Sequence, residues 1–247
     1  MDRSLNEFRA VWERKKILRE VYTGWYKEIA GDLKAGAGKT LEIGSGIGNF
    51  KQFMPGTLSS DIQEAQWLDL RFDAHDLPFM SGSILNIVMI DVLHHLSQPL
   101  RFIHEAERVL APGGRLVILE PYPSPVSLII YRLFHPEPFI MNVDYFENSG
   151  GAPSEHRAQG EHREPNQAAA YLLFYKQKKQ FAELFDRRLT IITTKLLACV
   201  LYPLSGGFQK KTFIPAFMVP LARWLEWLAT PFRFLLASRC RVVIEKL

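Results

Sequence analysis

The stretch 39–50, KTLEIGSGIGNF, constrains this chain more than any other part of its sequence. Thr40, Leu41 and Ile43 form the end of a buried strand, and Gly44, Gly46 and Gly48 follow in a G-x-G-x-G run. Residues 49–53 then turn into a helix. Glycines at this spacing let the backbone turn sharply and approach a ligand with no Cβ in the way. Free N–H groups at the start of the helix make such an element a candidate nucleotide site. The same run also fits an ordinary strand-to-helix turn, so the residues around it have to decide.

The spacing departs from G-x-G-x-x-G, which counts against a nicotinamide oxidoreductase. Glu42 stands just before the first glycine, where a buried carboxylate repels a pyrophosphate and suits a ligand carrying positive charge. Asp61 follows a short second strand at 57–60, placed to accept hydrogen bonds from both ribose hydroxyls. Asp73-Ala74 opens a loop after a third strand. Residues 84–90 are nearly all apolar, as in a central parallel strand covered on both faces, and run into Asp91-Val92-Leu93-His94-His95-Leu96. Pro99 starts a helix whose buried face is Leu100, Ile103, Ala106 and Leu110. Pro112-Gly113-Gly114 stops it, and 115–120 reads as a fifth strand.

Taken in order, LEIGSGIGNF, Asp61, DAHDLPF, DVLHHL and RVLAPGGRLVILEP resemble the class I S-adenosylmethionine-dependent methyltransferases. The style is closest to the small-molecule branch that includes the quinone C-methyltransferases. The resemblance covers about residues 39–121 and implies an α/β, Rossmann-like fold. That fold is a doubly wound, seven-stranded, mostly parallel sheet with an antiparallel last strand, helices on both faces and inserted lid segments. It implies S-adenosylmethionine as cofactor, with Gly44, Gly46, Gly48, Asp61, Asp73, Ala74 and Asp91 as cofactor-binding residues. Asp73 would meet the adenine amino group and the Ala74 N–H a ring nitrogen, although an Asp here also caps turns. Glu42 would organise the glycine loop.

The chain reads as a single methyltransferase domain, 1–247. Residues 1–38 form an N-terminal helical cap, 39–121 the cofactor-binding core and 122–165 a lid insertion. The C-terminal half of the sheet, 166–247, carries an apolar helical insertion at 196–238. The cap places Phe8, Val11, Trp12, Leu18, Val21, Tyr22, Trp25 and Ile29 near helical spacing. The resemblance puts Tyr22 or Tyr26 at the cofactor pocket. Prolines break the chain from Pro121 onward. The lid is rich in aromatics, is polar and expected to be mobile over 150–165, and holds His135, His156 and His162, whose spacing is not that of a metal site. A helix is expected over 166–185, a sixth strand over 188–194 and a seventh over 240–246.

A net charge of +4 is too mild to suggest a nucleic-acid partner, which asks for a denser basic stripe. Cys199 and Cys240 read as two buried or half-buried thiols of a reducing compartment. The start of the chain is charged and lacks the apolar core of a signal peptide. No run of eighteen apolar residues exists, so no spanning helix is expected; the expected location is cytoplasmic, with a peripheral place at the membrane as the alternative. Within 213–237, however, Phe213, Phe217, Trp224, Trp227, Phe232 and Phe234 stand among many aliphatic groups, with Lys210, Lys211, Arg223, Arg233 and Arg239 among or beside them. Burial against the sheet edge and lid is the first expectation; peripheral membrane contact and a homodimer face are the alternatives.

The candidate catalytic residues are His94 and His95 at the switch point after the fourth strand, and Glu120 and Tyr122 at the end of the fifth. A histidine there suits a general base near neutral pH, or else holds the loop by a hydrogen bond. An Asn/Asp-Pro-Pro-aromatic run, which would point to a nucleobase amine, is absent after the fourth strand. So are the paired acidic residues of protein-arginine enzymes. The reading is methyl transfer to oxygen or carbon of a small acceptor, apolar or lipid-linked. The alternative is a non-catalytic S-adenosylmethionine-binding or membrane-associated scaffold protein of the same fold.

Overall fold

The computed structural model describes residues 4–134, 137–147, 165–208 and 211–247. His135, His156, His162 and Lys210 lie outside them, as does nearly all of the polar stretch 150–165.

Helix α1 (Leu5–Arg14) begins at a reciprocal cap, with the Ser4 side chain on the Glu7 N–H and the Glu7 side chain on the Ser4 N–H. Helix α2 (Lys16–Asp32) buries Leu18, Val21, Tyr22, Trp25, Tyr26 and Ile29, the stripe its spacing predicts. Next come β1 (Lys39–Ile43), α3 (Asn49–Phe53), β2 (Leu58–Asp61), β3 (Leu70–Arg71), β4 (Ile84–Ile90), α4 (Pro99–Val109) and β5 (Leu110–Pro121). Beyond these lie α5 (Pro125–Phe134), α6 (Ala169–Tyr171), α7 (Lys178–Leu184), β6 (Leu189–Leu197), α8 (Leu201–Ser205), α9 (Val219–Leu228), α10 (Arg233–Leu236) and β7 (Arg239–Lys246).

The seven strands form one sheet in the order β3-β2-β1-β4-β5-β7-β6. All neighbours from β3 to β5 are parallel, while β7 runs antiparallel to both β5 and β6. Side-chain alternation sends each strand's residues to two cores. On one face Ile87, Met89, Leu116, Ile118, Val242 and Ile244 pack with Phe102 of α4 and Phe181 of α7. On the other Val88, Val117, Leu119 and Val243 pack with α2 and Phe50 of α3. Both cysteines are buried free thiols.

Four expectations are corrected. The fifth strand begins at Leu110, which closes α4 and already pairs with Ile84; the register then shifts before Asn86 meets Arg115. Pro125 starts α5 rather than breaking the chain, because proline at a first helical turn loses no hydrogen bond it could have made. The helix expected over 166–185 holds a π-helical segment, Leu172–Lys176, closed by the Gln177 N–H donating to the Leu172 carbonyl.

The fourth correction concerns the apolar insertion. Phe217 is 81% exposed, Trp227 69% and Trp224 54%. Instead, α9 rests on the domain through the small residues Val219 and Ala222. Glu226 fixes it there by accepting hydrogen bonds from the N–H groups of Cys199, Val200 and Leu201 at 2.8, 2.7 and 2.9 Å. The small and acidic residues take the inward face, which leaves the large apolar ones outward. Among the described residues no helix is long and apolar enough to cross a membrane.

Candidate active site

The glycine turn follows β1 at the carboxyl end of the sheet. Gly44, Gly46 and Gly48 all have left-handed φ values, 68°, 49° and 74°. A Cβ on Gly44 would lie 2.2 Å from Val92 Cγ2, so the turn packs directly on the loop after β4. At Gly46 a Cβ would meet nothing within 4 Å. The turn is pinned to β2: the Ser45 N–H donates to the Ser60 carbonyl at 2.8 Å, and the Ser60 N–H to Ser45 Oγ at 3.0 Å. Trp67, which the sequence reading passed over, closes it from outside. Its indole N–H donates to the Gly46 carbonyl at 2.9 Å, and the Arg9 guanidinium sits 4.3 Å over its ring. A lone Trp after an acidic strand tip was the available signal.

Asp61 ends β2 beside this turn. Its carboxylate accepts the Gly46 N–H at 2.9 Å and the Gln63 N–H at 3.0 Å. Asp73 Oδ1 accepts the His75 backbone N–H at 2.9 Å and pairs with His75 Nδ1 at 2.6 Å; Ala74 beside it is buried. Asp73 therefore forms the turn that was the alternative reading, with Oδ2 outside these bonds. Glu42 is buried under the glycine turn, and its Oε2 has no hydrogen-bond partner. Desolvation, with the nearby Asp61 charge, pushes its pKa up to about 8 against the hydrogen bond from Ser45.

Asp91 follows β4 with φ of 54°, rare for a residue with a Cβ. It faces protein groups: Tyr22 Oη donates to Oδ2 at 3.3 Å, and Arg239 Nε lies 3.2 Å from Oδ1. Arg239 is buried at the start of β7, donating also to the hydroxyls of Tyr131 and Tyr202. Its importance was not visible in sequence, because it lies 148 positions after Asp91 (239 − 91).

Glu120 is fully buried at the end of β5. One oxygen accepts the N–H groups of Val92 and Leu93 at 2.7 and 2.6 Å, and the other meets His94 Nδ1 at 2.5 Å. Burial would raise its pKa, but the His94 charge and these N–H donors hold it below the usual carboxylate range. Burial likewise opposes a charge on His94, but Glu120 outweighs it and raises the His94 pKa. Glu120 thus spends its carboxylate on shaping the loop after β4. His95 is exposed, with its ring 4.0 Å from that of His94. Although the residue is exposed, its ring is desolvated where it packs on His94, and this with the His94 charge lowers its pKa. Glu137, absent from the sequence reading, brings Oε2 within 3.7 Å of His94 Nε2. Tyr122 stands apart from this group, among the rings of Tyr171 and Tyr175 at 5.7 and 5.3 Å.

The structure therefore brings Glu42, the glycines and Asp61 together, and separately joins Glu120, His94 and His95. The open space at Gly46 and the orphaned Glu42 carboxyl fit a cationic, nucleoside-bearing cofactor.

Residues 41–118 match the family described as a methyltransferase domain. The demethylmenaquinone methyltransferase of Thermus thermophilus is 37% identical over 76 residues, 29% of this chain and 34% of that protein. An uncharacterized 37.1 kDa transposon protein of Streptomyces fradiae is 49% identical over 49 residues, 20% of this chain and 14% of that one. The chain thus spans about a third or less of the length of the curated relatives it matches. A solved structure from Thermotoga maritima, a SAM-dependent methyltransferase and possible histamine N-methyltransferase, superposes with a TM-score of 0.57 at 15% identity. It covers 98% of this chain and 99% of its own, a likeness of fold.

Proposed function

From the premise that this chain has the class I methyltransferase fold with its methyltransferase domain at residues 41–118, we propose that it transfers a methyl group from S-adenosylmethionine to oxygen or carbon of a small acceptor, apolar or lipid-linked. The observation that carries this reading is the left-handed glycine turn set between the buried Glu42 and Asp61. When bound, S-adenosylmethionine supplies a methyl group on a sulfonium, open to direct displacement.

The chain's own residues bind and align. A carboxylate has about four lone-pair positions. Asp61 uses two on Gly46 and Gln63, which leaves room for ribose hydroxyls. Asp73 keeps Oδ2 for an amino group. Glu42 balances a cationic ligand from beneath the turn. On the acceptor side, Glu120 holds the loop that carries His94 and His95, while Tyr122, Tyr171 and Tyr175 supply an aromatic wall. Helix α5 and residues 137–147 act as the described part of the lid.

The acceptor class is supported by the surface. Arg223 of α9, next in sequence to the outward Trp224, lines a hollow of about 420 Å³ with Lys16, Arg19 and Lys27, and pairs there with Glu20 at 2.7 Å. Exposed Trp and Phe beside basic residues suit the headgroup region of an anionic membrane. Contact there would give access to a lipid-linked acceptor, and the demethylmenaquinone methyltransferase similarity is compatible with one. Incubation with methyl-labelled S-adenosylmethionine and separated lipid and aqueous cell extracts tests this. Label entering the lipid fraction, with S-adenosylhomocysteine formed, is expected. Label in the aqueous fraction alone overturns the lipid acceptor. No S-adenosylhomocysteine with either extract favours the scaffold protein.

A further inference from the structure

We propose that His94, His95 and Glu137 form a binding site for a divalent first-row transition metal at the carboxyl end of β4. Each offers one ligand atom, and the three atoms lie within 4.8 Å of one another. His94 Nε2 and Glu137 Oε2 are 3.7 Å apart. A tetrahedral ion with bonds of about 2.0–2.1 Å asks for ligand atoms roughly 3.4 Å apart. The His94–Glu137 pair is therefore close to spacing, and only the exposed His95 ring has to turn inward.

The surroundings have the form that metal-ligating histidines require. His94 Nδ1 is tied to the fully buried Glu120 at 2.5 Å. A carboxylate on Nδ1 fixes the tautomer, directs the Nε2 lone pair at the ion and raises its basicity. The same Glu137 oxygen, Oε2, is positioned by the buried Gln167, whose Nε2 donates a hydrogen bond to it. Gln167 Oε1 is itself buried with no hydrogen-bond partner. The segment carrying Glu137 is fastened to the histidine loop. The Asn166 N–H donates to the His94 carbonyl at 2.8 Å, and the Asn166 side chain brackets the Ile140 backbone at 2.9 and 3.1 Å.

Two imidazoles and one carboxylate suit zinc, iron, cobalt or nickel rather than magnesium or calcium. Three protein ligands leave coordination positions open, the arrangement of sites that also take a substrate atom. An oxygen of the acceptor is the chemistry that fits there. Metal binding itself stands independently of the methyl-transfer reading.

The test is a titration of the chelator-treated full chain with Co²⁺, followed by visible d–d absorption. One-to-one binding is expected, with Zn²⁺ displacing the colour. His95→Ala and Glu137→Gln should each weaken Co²⁺ binding by about tenfold or more. His104→Ala, a surface histidine outside the group, should leave it intact. His94→Ala is avoided, since it would strand the buried Glu120. No d–d bands, or bands insensitive to both variants, overturn the site. S-adenosylhomocysteine calorimetry on the same preparations separates this outcome from failure of the cofactor site.

Discussion

Replacing Glu42 by Gln isolates the buried carboxyl under the glycine turn. The folded protein keeps this proton up to about pH 8, while the unfolded chain releases it near 4.5. Between those values the native state binds the extra proton, so stability falls as pH rises. The favourable contribution is complete below 4.5 and gone above about 8. At about 1.4 kcal/mol per pH unit, the whole interval is worth on the order of 5 kcal/mol, of which about 3 is lost between pH 5 and 7.5. Gln copies the neutral carboxyl at every pH, so the variant should lack this slope. Urea titrations of both proteins from pH 5 to 8.5 give the comparison. The wild type should lose about 4 kcal/mol relative to Glu42→Gln across that range. Parallel pH profiles would refute the claim that Glu42 is held protonated. A cationic ligand should then drive the proton off, visible as buffer-dependent heat when S-adenosylmethionine is added to the wild type and missing in the variant.

Three further outcomes follow from particular contacts. Glu120→Gln breaks a buried pair and should cost about 3 kcal/mol or more in urea unfolding, because His94 and two N–H groups lose their charged acceptor. Gly44→Ala should lower the melting temperature, by strain on the order of 2 kcal/mol at φ of 68° plus a collision with Val92 at 2.2 Å, and should weaken cofactor binding. Wild-type protein should float with anionic liposomes at low salt and detach as salt rises, each basic residue near the surface contributing about 1 kcal/mol. The double variant Trp224→Ala, Trp227→Ala should float less at unchanged melting temperature; wild type that stays wholly unbound, or that dimerises through this face, counts against the membrane reading.

Local signals were legible where the physics is local. The apolar run 84–90 became β4 with those same bounds, because a strand covered on both faces needs no alternation. The glycine run and Asp61 adjoin as their spacing implies. Long-range pairings were not legible: Glu137 with His94, and Arg239 with Asp91, are joined only by the fold. Glu120 is a catalytic candidate by sequence, since a strand end looks the same there whichever way its side chain turns. Its use on the Val92 and Leu93 N–H groups depends on how the neighbouring loop folds back. Counting large apolar groups in 213–237 suggested burial, yet the inward face of α9 is made by Val219, Ala222 and the carboxylate of Glu226. Composition records how much apolar surface a segment has, not which side of it meets the core.

The central claim is that the glycine turn and Asp61 hold S-adenosylmethionine. Calorimetry with S-adenosylhomocysteine on wild type and Asp61→Ala tests it directly. Asp61 loses charge-assisted hydrogen bonds worth about 1.5 to 3 kcal/mol each. The account predicts one-to-one binding by the wild type and an affinity lower by ten- to a hundredfold or more in a variant that remains folded. No binding by the wild type, or equal affinity in the two proteins, would contradict it.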